Sequence, residues 1–264
     1  MKFQSPGDIA FSLSGFSVYY YGIILAVAIF TGIYTAYYLY KKFYGNKNAN
    51  YIFDFSPYII LIGILGARLY YCLVNFNYYL LKPIEILDIR QGGLSVHGMI
   101  FAGIISLYVF ARIYKISFLK LFDVFACGAA LAQAVGRWGN FFNSEAFGLP
   151  TNLPWKLFVP VQKRPIGFLN YEYFHPTFLY ESILDLLIFI ILVFIFKYNT
   201  KHPGTIACIY LILYSVARIL VEQIRIDSVF NILGIPVAQI TSLLIIIAAV
   251  IALPFILKHN SNNT

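Results

Sequence analysis

Charge is what this chain has least of. Only 11% of its 264 residues are charged, against ~25% in an ordinary soluble domain, while 60% are apolar. A single soluble core cannot bury that excess, so a soluble globular fold is excluded. Charge-rich and Ser/Gly-rich tracts are missing as well, which removes disordered, collagen-like and coiled-coil readings. Cysteine is scarce: Cys72, Cys127 and Cys208 sit in apolar runs, with neither a CxxC pair nor a secretory framework, so no disulfide or metal role is indicated. The nucleotide fingerprints GxGxxG and GxxxxGK[ST] do not occur, and neither do HExxH, a GxSG nucleophile or a PSGH-type phosphatase segment.

What is present is apolar length. With a mean hydropathy of +0.76, the chain reads as a polytopic membrane protein. Stretches of about 20 apolar residues, enough to cross a ~30 Å hydrocarbon core as helix, fall near 16–40, 55–76, 94–113, 119–136, 176–197, 204–223 and 236–257. They lack the dyad alternation of a barrel, and unpaired backbone is costly in lipid, so the expected fold is an all-α bundle of seven transmembrane helices. The first run, preceded by Met1 to Ser14, is too long for a signal-peptide core and is expected to be a retained span. No repeat or long polar linker divides the chain, so residues 1–264 are expected to form one integral membrane domain.

The net charge of +8 is scattered among loops, favouring anionic lipid headgroups over nucleic acid as partners. With the N-terminus outside, cytoplasmic loops hold nine basic residues (Lys41, Lys42, Lys47, Arg112, Lys115, Lys120, Lys197, Lys201 and Lys258). External segments hold eight (Lys2, Lys82, Arg90, Arg137, Lys156, Lys163, Arg164 and Arg225). This balance favours N-out, C-in. The connection from Arg137 to His175 is too long for a helix hairpin, and its Trp155, Phe158, Phe168, Tyr171, Tyr173 and Phe174 suit an interfacial aromatic belt. A small external cap with short strands is expected there.

Placing an Arg or Asp at the centre of a spanning helix costs about 2.5–3.5 kcal/mol, so each one needs a partner, a cavity or a ligand. In the sixth span Tyr214, Arg218 and Glu222 recur at i, i+4 and i+8, on one helix face, with Arg225 just beyond. This is either a structural Arg218–Glu222 pair or a cationic face for a phosphate, with Glu222 and Tyr214 orienting the guanidinium. Where the fourth span ends, Gly136-Arg137-Trp138-Gly139-Asn140-Phe141-Phe142-Asn143-Ser144-Glu145-Ala146-Phe147-Gly148 gathers an Arg, amides and a carboxylate among glycines that permit a tight turn. The alternative is a plain helix C-cap.

Gly92-Gly93-Leu94-Ser95-Val96-His97-Gly98 opens the third span, and His97 is either a satisfied hydrogen-bonding residue or a catalyst. His175-Pro176 starts the fifth span ahead of Tyr180, Glu181 and Asp185; Tyr180 and Glu181 read first as braces of the bundle. Tyr21-Gly22 reads as an interfacial anchor unless its hydroxyl faces a cavity. Arg68 is expected in the cytoplasmic half of the second span as a snorkelling cation. Gly128, Ala129, Ala130, Ala132, Ala134 and Gly136 favour close helix packing.

The Gly136–Gly148 segment resembles the signature of the bacterial prolipoprotein diacylglyceryl transferases. The resemblance extends over most of the chain, through Tyr21-Gly22, Gly92 to Gly98, His175-Pro176-Thr177-Phe178-Leu179-Tyr180-Glu181, then Tyr214, Arg218, Glu222, Arg225 and Gln239. It departs at Phe178, where some relatives carry a polar residue, and at Ala238, where glycine is common. The resemblance implies transfer of a diacylglyceryl group from phosphatidylglycerol to the lipobox cysteine thiol of preprolipoproteins. A thioether forms and glycerol phosphate is released, in the first step of lipoprotein maturation at the bacterial cytoplasmic membrane.

It further implies His97, Arg137 and Arg218 as catalytic residues, with Tyr21, Asn140, Asn143, Glu145, Gly148, Tyr214 and Glu222 at the substrate, and no cofactor. By residue type His97 is the candidate base, and the two arginines suit charge developing on a leaving phosphate. A transporter of an anionic solute would also place Arg137 and Arg218 in a membrane cavity, but no inverted repeat is present.

Overall fold

The structure, a computed structural model, describes residues 3–13, 15–89, 92–226, 231–232 and 234–261. Met1, Lys2, Ser14 and Arg90, which entered the reading of the N-terminus and of topology, lie outside the described residues.

Among the described residues seven helices are long and apolar enough to cross a membrane. In chain order the elements are the hairpin β1 (Ile9–Leu13) and β2 (Phe16–Tyr19), then α1 (Tyr20–Tyr44), α2 (Tyr51–Val74), the short α3 (Phe76–Leu81), α4 (Val96–Ile113) and α5 (Phe118–Asn143). There follow β3 (Leu157–Phe158), β4 (Tyr173–Phe174), α6 (Thr177–Tyr198), α7 (Thr205–Glu222), β5 (Asn231–Ile232), β6 (Ile235–Pro236) and α8 (Val237–Ser261). All seven spans expected from hydropathy are present, and the fold is all-α and polytopic. The chain divides into two compact units, Met1–Thr35 with Asp123–Thr264, and Ala36–Phe122.

In the first unit small residues let helices close. A Cβ on Gly32 would lie 3.0 Å from the Gly128 carbonyl oxygen and 3.1 Å from the Ala132 Cβ, so α1 and α5 meet backbone to backbone there, as the small residues of the fourth span suggest. Ser182 of α6 donates to the Ala134 carbonyl of α5 at 2.7 Å. The fully buried Asp123 of α5 caps the start of α7, accepting from the Gly204 and Ala207 backbone N–H groups at 2.7 and 2.9 Å. Those amides have no intrahelical partner, so the carboxylate satisfies them and also favours the positive end of the helix dipole.

The expected cap between the fourth and fifth spans is present. Antiparallel β3 and β4 pair Leu157 with Phe174 and Phe158 with Tyr173, and the N-terminal segment joins them through a parallel bridge from Gln4 to Phe158. Beneath lies a small core of Phe141, Phe147, Leu157, Val159, Phe174 and Phe178, with Phe3 stacked on Phe141 at 5.4 Å. Phe174 and Phe178 are fully buried. The aromatic belt is therefore narrower than the composition suggests: Trp155 and Tyr171 are half exposed, whereas Phe174 packs inside the cap. The departure at Phe178 is a core position.

In the second unit α2 packs along α4. Gly66 and Gly98 face one another so closely that a Cβ on Gly98 would overlap the Gly66 carbonyl oxygen and the Tyr70 Cβ. Phe55 of α2 stacks on Phe110 of α4 at 5.1 Å.

Candidate active site

Three cationic side chains of the first unit converge on one carboxylate. Arg137 of α5 places Nη1 2.6 Å from Glu181 Oε2, while Arg218 of α7 and Arg225 just beyond it place Nη1 2.7 and 3.0 Å from Glu181 Oε1. Arg218 Nη2 also reaches Glu222 Oε2 at 2.7 Å, one turn further along α7. Asp185, one turn beyond Glu181 on α6, lies 3.9 Å from Arg137 Nε. The i, i+4 spacing on α6 thus faces the i, i+4 spacing on α7, a consequence of 3.6-residue periodicity on packed helices.

Burial gives the cluster a direction. The carboxylate side chains of Glu181, Asp185 and Glu222 are 5%, 3% and 1% exposed, whereas Arg137 and Arg218 keep 20% and 18%. The acids stand behind and the guanidiniums in front. Each guanidinium carries five N–H donors in a planar fork, so one carboxylate occupies only part of it. Arg137, Arg218 and Tyr214 line one small cavity together with Glu181 and Asp185. Next to Tyr214, the Tyr210 hydroxyl donates to Gln133 Oε1 at 2.8 Å.

The signature segment is built differently from the tight glycine turn that its composition suggests. α5 continues as helix through Gly136 and Gly139 to Asn143, and the chain reverses at Ser144 and Ala146, with φ of 53° and 54°. The glycines provide close approach instead: a Cβ on Gly139 would lie 2.8 Å from Cδ2 of Tyr21, so only glycine lets that ring of α1 rest on α5. Glu145 N–H donates to the Asn140 carbonyl at 2.8 Å and Asn143 Nδ2 donates to Glu145 Oε1 at 3.5 Å. Both asparagines are half-buried and Glu145 is exposed.

Gly148 closes the segment. Its N–H donates to the His175 carbonyl at 2.8 Å, it bridges to Arg225, and a Cβ there would lie 2.5 Å from the Ile224 carbonyl oxygen. The end of the signature therefore fixes the backbone at Arg225 and hence the third cation. Nearby, Trp155 Nε1 donates to the Tyr180 hydroxyl at 2.8 Å and that hydroxyl lies 3.1 Å from His175 Nδ1, so Tyr180 ties the cap to α6.

Sequence reasoning underweighted Glu181. It read as a brace of the bundle, and it is the hub on which all three arginines meet; its signal was the i, i+4 acid pair Glu181 and Asp185 in a span with no basic residue before Lys197. Beside the cluster, α1, α5 and α6 enclose an apolar groove of about 300 Å³ lined by Ile24, Val27, Leu131, Ala134, Trp138 and Leu186.

His97 and Arg68 belong to the second unit. His97 is exposed at the first turn of α4, its ring 6.1 Å from that of Tyr70. Arg68 does not snorkel. It lies in the last two turns of α2, only 8% exposed, and donates to the carbonyls of Glu85, Ile86, Asp88, Gly92 and Gly93 at 2.5 to 3.1 Å. It borders a cavity of about 310 Å³ with Tyr71, Asn75, Tyr78, Tyr79 and Glu85. There Tyr78 donates to Glu85 at 2.6 Å and Lys82 pairs with it at 3.1 Å. The Tyr78 hydroxyl, then Lys82, hold the Glu85 carboxyl below its ordinary value, and Glu85, then Tyr78, raise the Lys82 ammonium.

Fold and site together define a polytopic membrane protein with a compact cationic cluster built between its helices. A family model described as prolipoprotein diacylglyceryl transferase matches residues 8–255. A phosphatidylglycerol--prolipoprotein diacylglyceryl transferase of Synechocystis sp. is 42% identical over 252 residues, covering 93% of this chain and 88% of its own. Proteins of the same name from Synechococcus sp. strain CC9902 and Synechococcus elongatus are 44% and 41% identical over 232 and 262 residues. These alignments cover 86% and 97% of this chain, and 82% and 89% of the relatives. The chain belongs to the prolipoprotein diacylglyceryl transferase family and is a membrane transferase.

Proposed function

We propose that residues 1–264 act as one transferase domain in the bacterial cytoplasmic membrane, N-terminus outside and C-terminus cytoplasmic. It moves the diacylglyceryl group of phosphatidylglycerol to the lipobox cysteine of a preprolipoprotein signal peptide. The relatives' names carry phosphatidylglycerol and prolipoprotein as substrates. The observation that carries the mechanism is the convergence of Arg137, Arg218 and Arg225 on Glu181, with the acids behind and the guanidiniums in front.

A phosphodiester in front of the cluster meets planar, charged donors suited to bidentate binding. The thiolate attacks the glyceryl carbon that bears the phosphate oxygen; the S–C bond forms as the C–O bond breaks. The electron pair leaves on glycerol phosphate, where Arg137 and Arg218 stabilise the developing charge. In a water-poor cavity this electrostatic contribution is the largest expected. A thiol with a pKa near ~8.5 is mostly protonated at neutral pH, so a base must take its proton, and His97 is assigned that role by residue type. Tyr214 and Glu222 orient Arg218; Tyr21, Asn140, Asn143, Glu145 and Gly148 shape the headgroup end. The apolar groove of α1, α5 and α6 suits acyl chains, and membrane lipids are neighbours throughout.

The test is purified protein with head-labelled or acyl-labelled phosphatidylglycerol and a lipobox peptide. Acyl label on the peptide cysteine with head label in soluble glycerol phosphate is the expected result. Movement of an anionic solute across vesicles without covalent product would overturn the reading in favour of transport.

A further inference from the structure

We propose that Arg68 is a positioning residue for the start of α4: its guanidinium, saturated by main-chain carbonyls, holds Gly92 and Gly93 and so sets where His97 is presented. This rests on the reading of His97 as the base.

An arginine has five N–H hydrogens, and here each has an oxygen acceptor. Nε donates to Ile86, Nη1 to Gly92 and Gly93, and Nη2 to Glu85 and Asp88, at 2.9, 2.9, 3.1, 2.5 and 3.0 Å. The charge is contacted by ring faces too, with Tyr79 and Tyr71 centred 5.3 and 6.0 Å from Cζ. No donor remains for a ligand, which excludes a phosphate-binding role and leaves a conformational one. The fit is close on the far side as well: a Cβ on Gly93 would lie 2.5 Å from Arg68 Nη1, and Gly92 and Gly93 both adopt left-handed φ, 88° and 73°. Only glycines can bring both carbonyls to this guanidinium at this distance.

The neighbours of Arg68 on α2 carry the effect to His97. The Ala67 carbonyl accepts from Ser95 N–H at 3.0 Å, Gly66 and Tyr70 contact Gly98, and the Tyr70 ring faces the imidazole at 6.1 Å. Four positions within one stretch of α2, Gly66, Ala67, Arg68 and Tyr70, thus form a template for the segment Gly92 to Gly98. Lysine, with three donors on a flexible stem, cannot serve five acceptors in one plane.

The experiment compares the full-length protein with Arg68→Lys and Arg68→Gln. It uses hydrogen exchange of residues 83–98, site-resolved diethyl pyrocarbonate modification of His97 against His175 and His202, and kcat and KM for lipid and peptide. The expected result for Arg68→Lys is faster exchange confined to 83–98 and a changed modification rate at His97 but not at His175 or His202. We expect kcat to fall about tenfold to a hundredfold, as misplacement of a reacting group costs, with KM for the lipid within about twofold.

Unchanged exchange in 83–98, or loosened exchange with kcat within about twofold of the parent, would overturn the positioning role. A uniform loss of folded protein with unchanged kcat per folded molecule would overturn it too. His97→Gln separates the two readings. Retained transfer in that variant defeats the base assignment, whereas the exchange and modification measurements on Arg68→Lys judge the clamp without it.

Discussion

At the residue scale the cluster works because its cations and acids are unequal in burial. Glu181 serves three guanidiniums, so Glu181→Gln leaves them in mutual repulsion and should lower stability by about 3–5 kcal/mol, the range for breaking a buried ion pair from one side. Asp185→Asn should cost much less, since Asp185 has a single cation at 3.9 Å. Thermal unfolding of both variants in detergent checks the ranking, and equal losses would mean that Glu181 is not the hub. Arg137→Lys and Arg218→Lys keep the charge and lose the fork; transfer should fall by about tenfold or more in each while the protein stays folded. Full activity in both would remove bidentate phosphate binding from the mechanism. Arg137, Arg218 and Glu222 were legible because buried charge at helical spacing is costly without a purpose. Arg68 was misread because hydropathy shows where a cation sits along a span but not which loop carbonyls return to it.

At the element scale, helix existence was legible and helix ends were less so. The fourth span was expected to stop near residue 136, and α5 runs to Asn143 because a glycine facing another helix costs less than its intrinsic propensity suggests. The turn itself falls on Ser144 and Ala146, which no turn pattern marks. Gly128→Leu should push α1 from α5 and destabilise by about 1–3 kcal/mol, the cost of overpacking, measurable as a lower melting temperature. Asp123→Ala should cost about 1–2 kcal/mol by uncapping α7, with exchange rising first at residues 204–208.

Near α3, the Glu85 carboxyl is held below its ordinary value, so its contribution is present above the unfolded value and lost as pH falls through the folded one. Exchange protection around Glu85 should therefore stay constant from neutral pH down to the usual carboxylate range and weaken only below it. Weakening already at neutral pH would contradict the Tyr78 and Lys82 contacts.

At the scale of the whole molecule, seven spans could be read from apolar length alone, because a hydrocarbon layer imposes one dimension on every helix, and the small cap from the length and aromatic content of the connection between Arg137 and His175. The division into Met1–Thr35 with Asp123–Thr264 and Ala36–Phe122 could not, since it depends on which helices exchange contacts and leaves no mark in composition. The three native thiols, Cys72, Cys127 and Cys208, are all free and buried inside spans. A catalyst whose proposed chemistry alkylates sulfur thereby keeps its own sulfur shielded from self-modification. The natural chain also offers a silent background for maleimide tagging, so a single thiol introduced in the 45–50 turn or the 160–170 cap would report sidedness directly.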